Sequence, residues 1–209
     1  MGSQFPPPTA ELLLRTPETV SLPAGTVFWR IHRTVGSHVV PWNALRTFGP
    51  LESARWDPHP PPPGDKAPLG SIYVGSDVAT CLAEFFQLSR FVDVDQGSPY
   101  ITGFQLAAAA TVLDLTGSWI LGAGGSAQVM FQEKARTRAW ARAIHDAWGD
   151  LDGVIAPSAM FPGRNITVLW NTQAMPGLPV LSVPLNSPAI IRDVATETLL
   201  INYTSNIVF

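Results

Sequence analysis

Short runs of β-branched, aliphatic and aromatic residues recur along the chain, and turn-forming residues bound most of them. Runs of this length and composition are typical of β-strands in a folded domain. Glycine, proline and serine mark the turns between them. The pattern predicts strands at 26–32, 71–75, 100–106, 111–115, 152–156 and 166–170.

Two segments have the 3.6-residue apolar spacing of helices. Ser76-Asp77 is a strong N-cap pair, and it predicts a helix that continues to about Ser89 with an apolar stripe of Val78, Cys81, Leu82 and Phe85. A second helix is predicted over 126–148. We expect its inward face to carry Val129, Trp140, Ile144 and Ala147, and its solvent face to carry Glu133, Lys134, Arg138, Arg142 and Asp146.

The mixture of strands with two helices, without any repeat, predicts an α+β fold in a single compact domain. We expect residues 1–25 to form an N-terminal lead-in and 26–175 to form the main domain, with a proline-rich loop at about 57–68. Residues 176–209 suggest a β-rich C-terminal extension, packed on the same domain and ending in a strand at 199–203. The tetraproline run 60–63 fits a surface insertion, or a segment that docks a partner.

Composition narrows the possible functions. The chain has 209 residues, of which 46% are hydrophobic and 14% charged, and its net charge is −3. Such a balance provides no electrostatic attraction to nucleic acid or to an anionic membrane, so we expect neither as a partner. One cysteine, Cys81, excludes an intrachain disulfide. Without an evident signal or a long apolar stretch, the chain is expected to be cytoplasmic.

Several familiar active-site motifs are absent from the sequence. It contains no GxxxxGK[ST], HExxH or GxSxG pattern, which makes P-loop, zincin and hydrolase-elbow chemistry improbable. The histidines are His32, His38, His59 and His145, and they lack the spacing of metal ligands, so we expect no metal site. Gly122–Ser126 precedes a helix and fits a loop with a cap better than a phosphate cradle.

A sparser set of polar residues stands out instead. Arg30 lies inside an aromatic strand, where a permanently charged side chain needs an anion or access to solvent. Glu84 lies at the border of the apolar stripe on the first helix, eleven residues after Tyr73. This carboxylate fits a solvated helix surface or the wall of a cleft. Ser158 follows a buried strand and fits a turn or a site.

Taken together, these residues resemble the RES-domain family, which is named for its arginine, glutamate and serine. The resemblance extends over about residues 26–171, in the family's order and approximate spacing. Its matching segments are Phe28-Trp29-Arg30-Ile31, Ala54-Arg55-Trp56-Asp57, Ile72-Tyr73-Val74-Gly75-Ser76, Ala83-Glu84, Asp152-Gly153-Val154, Pro157-Ser158-Ala159, Gly163-Arg164-Asn165 and Val168-Leu169-Trp170. Two features depart from the family: Ser53-Ala54 replaces its usual glycine pair, and the proline run is inserted.

The resemblance implies an ADP-ribosyltransferase-like fold, a mixed β-core flanked by helices. It also implies a toxin that destroys NAD⁺ by hydrolysis or phosphorolysis and is neutralised by an antitoxin with an Xre-type DNA-binding domain. Glu84, Arg30 and Ser158 would be the catalytic residues, and Tyr73, Arg55 and Asn165 would bind NAD⁺. NAD⁺ is then a substrate, so no cofactor and no metal are expected. Two alternatives remain: a mono-ADP-ribosyltransferase acting on a protein, and a non-enzymatic interaction module.

Overall fold

The apolar runs of the sequence assemble into one eight-stranded mixed sheet, described by a computed structural model that covers residues 7–9, 12, 14–131 and 133–208. The strands are β1 (Thr19–Leu22), β2 (Val27–Arg33), β3 (Phe48–Gly49), β4 (Gly64–Asp65), β5 (Ile72–Gly75), β6 (Phe91–Val92), β7 (Pro99–Gln105), β8 (Ala110–Asp114), β9 (Gly153–Pro157), β10 (Asn165–Leu169), β11 (Leu181–Pro184) and β12 (Thr204–Ser205). The α-helices are α1 (Val78–Phe85), α2 (Trp119–Gly122), α3 (Lys134–Ala147) and α4 (Ile191–Leu200). None of the described helices is long and apolar enough to cross a membrane.

The strand order of the main sheet is β1-β8-β9-β10-β5-β2-β7-β11. Neighbouring strands run antiparallel except β8 and β9, which are parallel. A parallel pair requires a crossover connection, and the connection between β8 and β9 contains α2 and α3. Two small two-stranded sheets, β3–β4 and β6–β12, lie outside the main sheet.

Successive side chains of the central strands point to opposite faces of the sheet, so the core is divided between the two faces. Leu113 packs with Trp140 and Ile144 of α3, whereas its neighbour Val112 packs with Phe28 in a second cluster. A third cluster combines buried residues of α1 and α4 with apolar residues of β2 and β7, among them Leu82, Val194, Ile31 and Ile101. Helices α1 and α3 are therefore fixed on the sheet by separate apolar clusters.

Strands β2 and β5 meet at one register pair, Trp29 with Gly75. If the antiparallel ladder continued, Arg30 would lie opposite Val74 and Ile31 opposite Tyr73, but these residues are not paired. The sheet therefore has a short junction at its centre, next to the start of α1. Close packing fills this junction, since a Cβ atom at Gly75 would lie 2.8 Å from the Cys81 Sγ atom.

The predicted α+β class is confirmed, and each of the six predicted strands is present within one or two residues at either end. The predicted helix at 126–148 is wrong as a single element. A 3₁₀ turn at Ala127–Met130 precedes α3, and the extended backbone of Glu133 (φ −50°, ψ 126°) separates the two. Arg138 does not simply face water, because it donates to the carbonyls of Leu51, Glu52 and Ala54.

The chain ends also differ from expectation. The predicted strand at 199–203 is wrong, because α4 continues to Leu200 and a turn follows it. Val194 and Thr198 are the buried residues of α4, and their spacing of four is that of a helix. At the other end, the lead-in contributes β1, which pairs with β8 at the sheet edge. Pro60–Pro63 is exposed, while Asp57 and His59 just before it are buried.

Candidate functional site

A cavity of about 600 Å³ opens beside the junction of β2 and β5. Residues of β2 and β5 line it together with the inner face of α1, the segment 51–55 and the segment 86–96. Its charged lining consists of Arg30, Arg33, Arg46, Arg55, Glu84 and Asp93. Among these described residues the arginines outnumber the carboxylates. The cavity is therefore suited to an anionic ligand that also places one group next to a carboxylate.

Helix α1 carries Glu84 into this cavity. The Asp77 side chain caps the helix, because its Oδ1 atom accepts from the Thr80 backbone nitrogen and hydroxyl, both at 2.8 Å. Leu82 and Ala83 are fully buried, so the orientation of the helix about its axis is fixed by the core. Glu84 is half-buried and lines the cavity at the edge of this apolar face.

Ser158 and the turn after it hold the Glu84 carboxylate. The Ser158 hydroxyl lies 2.6 Å from Glu84 Oε1, and the Ala159 amide donates to the same oxygen at 3.1 Å. Ser158 Oγ also accepts from the amides of Met160 and Phe161, at 3.2 and 3.0 Å. Because two amide donors face Oγ, its single proton is directed to Glu84. The described hydrogen bonds to the Glu84 carboxylate thus both reach Oε1.

Arg30 lines the cavity from β2 and donates to the Trp42 carbonyl at 2.7 Å. Burial and, to a smaller extent, the positive charge of Arg46 lower the pKa of the Arg30 guanidinium to about 10. A cation that loses hydration next to a second cation is destabilised. A bound anion would offset that destabilisation, so this part of the cavity favours a phosphate or a carboxylate.

Tyr73 and Arg55 lie in the same cavity. The Tyr73 hydroxyl is buried without a hydrogen-bond partner among the residues that the structure describes, and burial raises the pKa of this phenol. Burial lowers the pKa of Arg55, and the Glu84 carboxylate opposes that shift. Arg55 therefore lies within electrostatic reach of Glu84. An aromatic ring, a guanidinium and a carboxylate consequently face one space.

Two of the predicted site residues do not line the cavity: Ser158, which bonds to Glu84, and Asn165. Asn165 begins β10 opposite Pro157, is half-buried, and is not among the residues lining the cavity. The structure thus brings Arg30, Tyr73, Arg55 and Glu84 into one cavity and links Ser158 to it through Glu84. The sixth predicted residue lies beside the Ser158 turn, outside the cavity lining.

The sequence reasoning missed a buried polar network behind the cavity. Arg46 donates to Asp57 Oδ1 at 2.6 Å and to the Ser71 hydroxyl at 2.8 Å. His59, fully buried, faces Asp57 with Nδ1 at 2.9 Å and the Leu69 carbonyl with Nε2 at 3.2 Å. Both ring nitrogens thus lie within hydrogen-bond distance of an oxygen atom. The signal in the sequence was a histidine two residues after an aspartate, next to a proline run.

This network fixes the charge of Asp57. Burial alone would raise the pKa of the carboxyl, but the hydrogen bond from His59 and the positive charge of Arg46 outweigh it. The pKa of Asp57 consequently lies well below its usual range. Asp57 is therefore ionised at neutral pH, and it holds Arg46 at the cavity wall.

The described part of the chain offers no candidate metal site. No group of three or more histidine, cysteine, aspartate or glutamate side chains is placed there to hold an ion.

Comparison with known proteins agrees with this arrangement. The chain matches the family model of the RES domain over residues 27–187. No curated protein matches it. Its fold is similar to that of a chain in the crystal structure of the M. tuberculosis MbcT–MbcA toxin–antitoxin complex, with a TM-score of 0.53 and 15% sequence identity over 84% of this chain and 92% of that chain. The match to the RES model covers most of the sequence, so the protein belongs to the RES domain family.

Proposed function

We propose that this protein is a toxin that cleaves the bond between nicotinamide and ribose in NAD⁺. The observation that carries the proposal is the Glu84 carboxylate, fixed by Ser158 at 2.6 Å and facing a cavity with four arginines in its described lining. NAD⁺ combines an anionic pyrophosphate with a cationic nicotinamide ribose, so it needs both kinds of charge within one site. The cavity volume of about 600 Å³ is within the range of small-molecule sites.

One carboxylate is sufficient for this reaction. Nicotinamide is positively charged in NAD⁺ and leaves as a neutral base, so no general acid is needed to protonate it. Most glycosidases, by contrast, need a pair of carboxyl groups. Glu84 would stabilise the positive charge that develops on the ribose, and it would orient the attacking water or phosphate.

The other cavity residues would bind the substrate. Arg30 and Arg55 would hold the pyrophosphate or ribose oxygens, because a guanidinium binds phosphate through two parallel hydrogen bonds. The Tyr73 ring would stack on the nicotinamide. Ser158 would keep the carboxylate of Glu84 in place and would not itself act as a nucleophile, since its only proton is directed to Glu84. Asn165 is left as a candidate for contacts beyond the cavity lining.

The toxin assignment rests on family membership and on the toxin–antitoxin complex that contains a similar fold. We propose that the protein consumes NAD⁺ in the cytoplasm of the cell that makes it, and that an antitoxin of the Xre type neutralises it. Expression alone should stop growth and lower cellular NAD⁺, and co-expression with a neighbouring helix-turn-helix gene should restore both. Harmless expression with an unchanged NAD⁺ pool would contradict the toxin assignment.

Product analysis tests the chemistry. Purified protein is incubated with NAD⁺ in the presence and absence of phosphate, and nicotinamide and ADP-ribose products are quantified. Nicotinamide with free ADP-ribose indicates hydrolysis, and phosphate-dependent ADP-ribose 1″-phosphate indicates phosphorolysis. Nicotinamide release that requires an added protein indicates a mono-ADP-ribosyltransferase and contradicts NAD⁺ degradation. An absence of nicotinamide under each condition favours the non-enzymatic interaction module.

A further inference from the structure

The C-terminal segment 190–207 contacts the elements that carry the cavity wall. It begins after the region that matches the RES model, which ends at residue 187. Six of its apolar residues pack in one cluster with residues of α1 and of 92–94, namely Ile190, Ile191, Val194, Ile201, Tyr203 and Ile207. Helix α4 contacts α1 directly. The segment therefore shares a core with the helix that carries Glu84.

Tyr203 reaches the residue before Glu84. Its hydroxyl donates to the Ala83 carbonyl at 3.2 Å. The last carbonyls of a helix lack partners within the helix and need partners from outside it. In α1 the Ala83 carbonyl accepts from Tyr203, and the Glu84 carbonyl accepts from the Gln87 side chain at 2.9 Å. Tyr203 thus fixes the C-terminal turn of α1, in which Glu84 lies.

The same segment holds the cavity rim. Thr204 and Ser205 form a parallel pair with Phe91 and Val92. The Asn206 side chain accepts from the Val94 amide at 3.0 Å and donates to Asp93 at 3.1 Å. Phe91 and Asp93 line the cavity. Residues 204–206 therefore hold the segment 91–94 at the rim of the cavity.

We infer that residues 190–207 act as a brace for the active site, with Tyr203 as a positioning residue for Glu84 and Asn206 as a positioning residue for the cavity rim. This inference rests on the proposed function, because positioning matters only if Glu84 acts on a ligand in the cavity. A carboxylate that contributes mainly in the transition state is sensitive to small displacements. Loosening the last turn of α1 should therefore lower kcat more than it changes KM.

Two variants separate the two roles. Tyr203→Phe removes the hydroxyl and keeps the ring, and it should lower kcat for NAD⁺ cleavage about tenfold with KM within about twofold of the wild type. Asn206→Ala releases Asp93 and Val94, and it should raise KM several-fold with kcat near the wild-type value. Tyr100→Phe is the matched control, since Tyr100 lies on β7 and does not line the cavity. It should leave both constants unchanged.

Hydrogen exchange gives a second readout that does not depend on turnover. Tyr203→Phe should speed amide exchange in 78–86 relative to the wild type, with exchange in α3 and the melting temperature unchanged. If the wild type releases no nicotinamide, the proposed function fails, and exchange alone then decides whether the brace exists. Wild-type kcat together with wild-type exchange in 78–86 would overturn the inference. A lowered melting temperature with equal loss in every kinetic constant would also overturn it, since that result indicates a merely structural role.

Discussion

The hydroxyl of Ser158 has one proton and two lone pairs, and the site uses all three. Two backbone amides occupy the acceptor positions, and the proton points to Oε1 of Glu84. The orientation of the carboxylate is thus set by a backbone turn, which is more rigid than a second long side chain. In the proposed reaction, a carboxylate held in this way would need little reorganisation when positive charge develops on the ribose.

Removing this hydroxyl should affect both stability and rate. Ser158→Ala leaves the part-buried amides of Met160 and Phe161 without their acceptor, so we expect the free energy of unfolding to fall by about 1–2 kcal/mol. With Glu84 less constrained, kcat for NAD⁺ should fall about tenfold. Denaturant unfolding and steady-state kinetics measure the two effects. Ser187→Ala, in a half-buried turn away from Glu84, is the control and should change neither. A variant with wild-type kcat would show that Ser158 does not position the carboxylate.

Among single residues, the sequence pointed to those whose type is unusual for their position. Arg30 stood out because it interrupts an aromatic strand, and Glu84 because it borders an apolar stripe. Arg46 gave no such signal, since its partners Asp57 and Ser71 are brought to it only by the path of the chain. Asn165 was singled out by resemblance, and its side chain lies outside the cavity lining.

Among the elements, α1 has the greatest consequence for function because it is short. A helix of eight residues has few internal hydrogen bonds, so its end groups contribute much of its stability. Asp77 satisfies the N-terminal end, and side chains of Gln87 and Tyr203 satisfy the other. The position of Glu84 therefore depends on contacts at both ends of this helix.

The cap can be tested by a pair of substitutions. Asp77→Ala removes the acceptor for Thr80 and should lower the free energy of unfolding by about 1 kcal/mol. Asp77→Asn keeps a side-chain oxygen and should stay close to the wild type, since asparagine caps helices as well as aspartate does. Chemical denaturation of the two variants measures the difference. Equal stability of the alanine and asparagine variants would contradict the assigned cap.

Sequence patterns predicted the elements well where apolar spacing was regular. The six strands with apolar runs appear as predicted, because each contributes residues to two of the three core clusters. The break before α3 was missed, since a backbone conformation at Glu133 rather than a proline or glycine produces it. Helix α4 was misread as a strand because Leu199 and Leu200, the most apolar pair in it, are exposed, and its buried residues are Val194 and Thr198.

For the molecule as a whole, the long connection from β2 to β5 determines how the cavity wall is held. A loop of this length needs contacts of its own to stay ordered. Trp56, Asp57 and His59 anchor it in the interior, and the proline run is exposed to solvent. Asp57 is the central group, because it binds Arg46, His59, Ser71 and the Leu51 amide.

Because Asp57 stabilises the fold as an anion, we expect the free energy of unfolding to fall in acid. The pKa of Asp57 is depressed in the folded state, so the unfolded chain binds more protons near the ordinary aspartate pKa of about 4. Stability from this group is complete at neutral pH and is lost as the pH falls through 4 toward the depressed pKa. Asp57→Asn removes the buried anion that faces the Arg46 guanidinium and the His59 ring, and it should lower the free energy of unfolding at pH 7 by about 3 kcal/mol.

Unfolding free energies measured between pH 7 and pH 3 test this account. The wild type should lose stability more steeply below pH 4 than Asp57→Asn, so that the two curves converge in acid. Asp150→Asn, at an exposed turn, is the control and should follow the wild-type curve. Parallel curves for the wild type and Asp57→Asn would contradict the depressed pKa.

The sheet order could not be derived from the sequence. Local patterns specify strands, but the adjacency of β2 and β5, which are separated by the long connection between Arg33 and Ile72, follows from packing of the whole core. The central junction and its cavity are a consequence of that adjacency. The order of the family motifs therefore identified the site residues from the sequence. Their arrangement around the cavity could be seen only once the fold was known.

The most direct test compares NAD⁺ turnover by the wild type and by Glu84→Gln. The substitution keeps size and hydrogen-bonding capacity but removes the charge proposed to stabilise the transition state. We expect nicotinamide release to fall by about 10²–10³-fold, with the fold and NAD⁺ binding retained. Glu18→Gln, an exposed residue next to β1, should match the wild type. Unchanged turnover in Glu84→Gln would contradict the central claim that this carboxylate performs the chemistry.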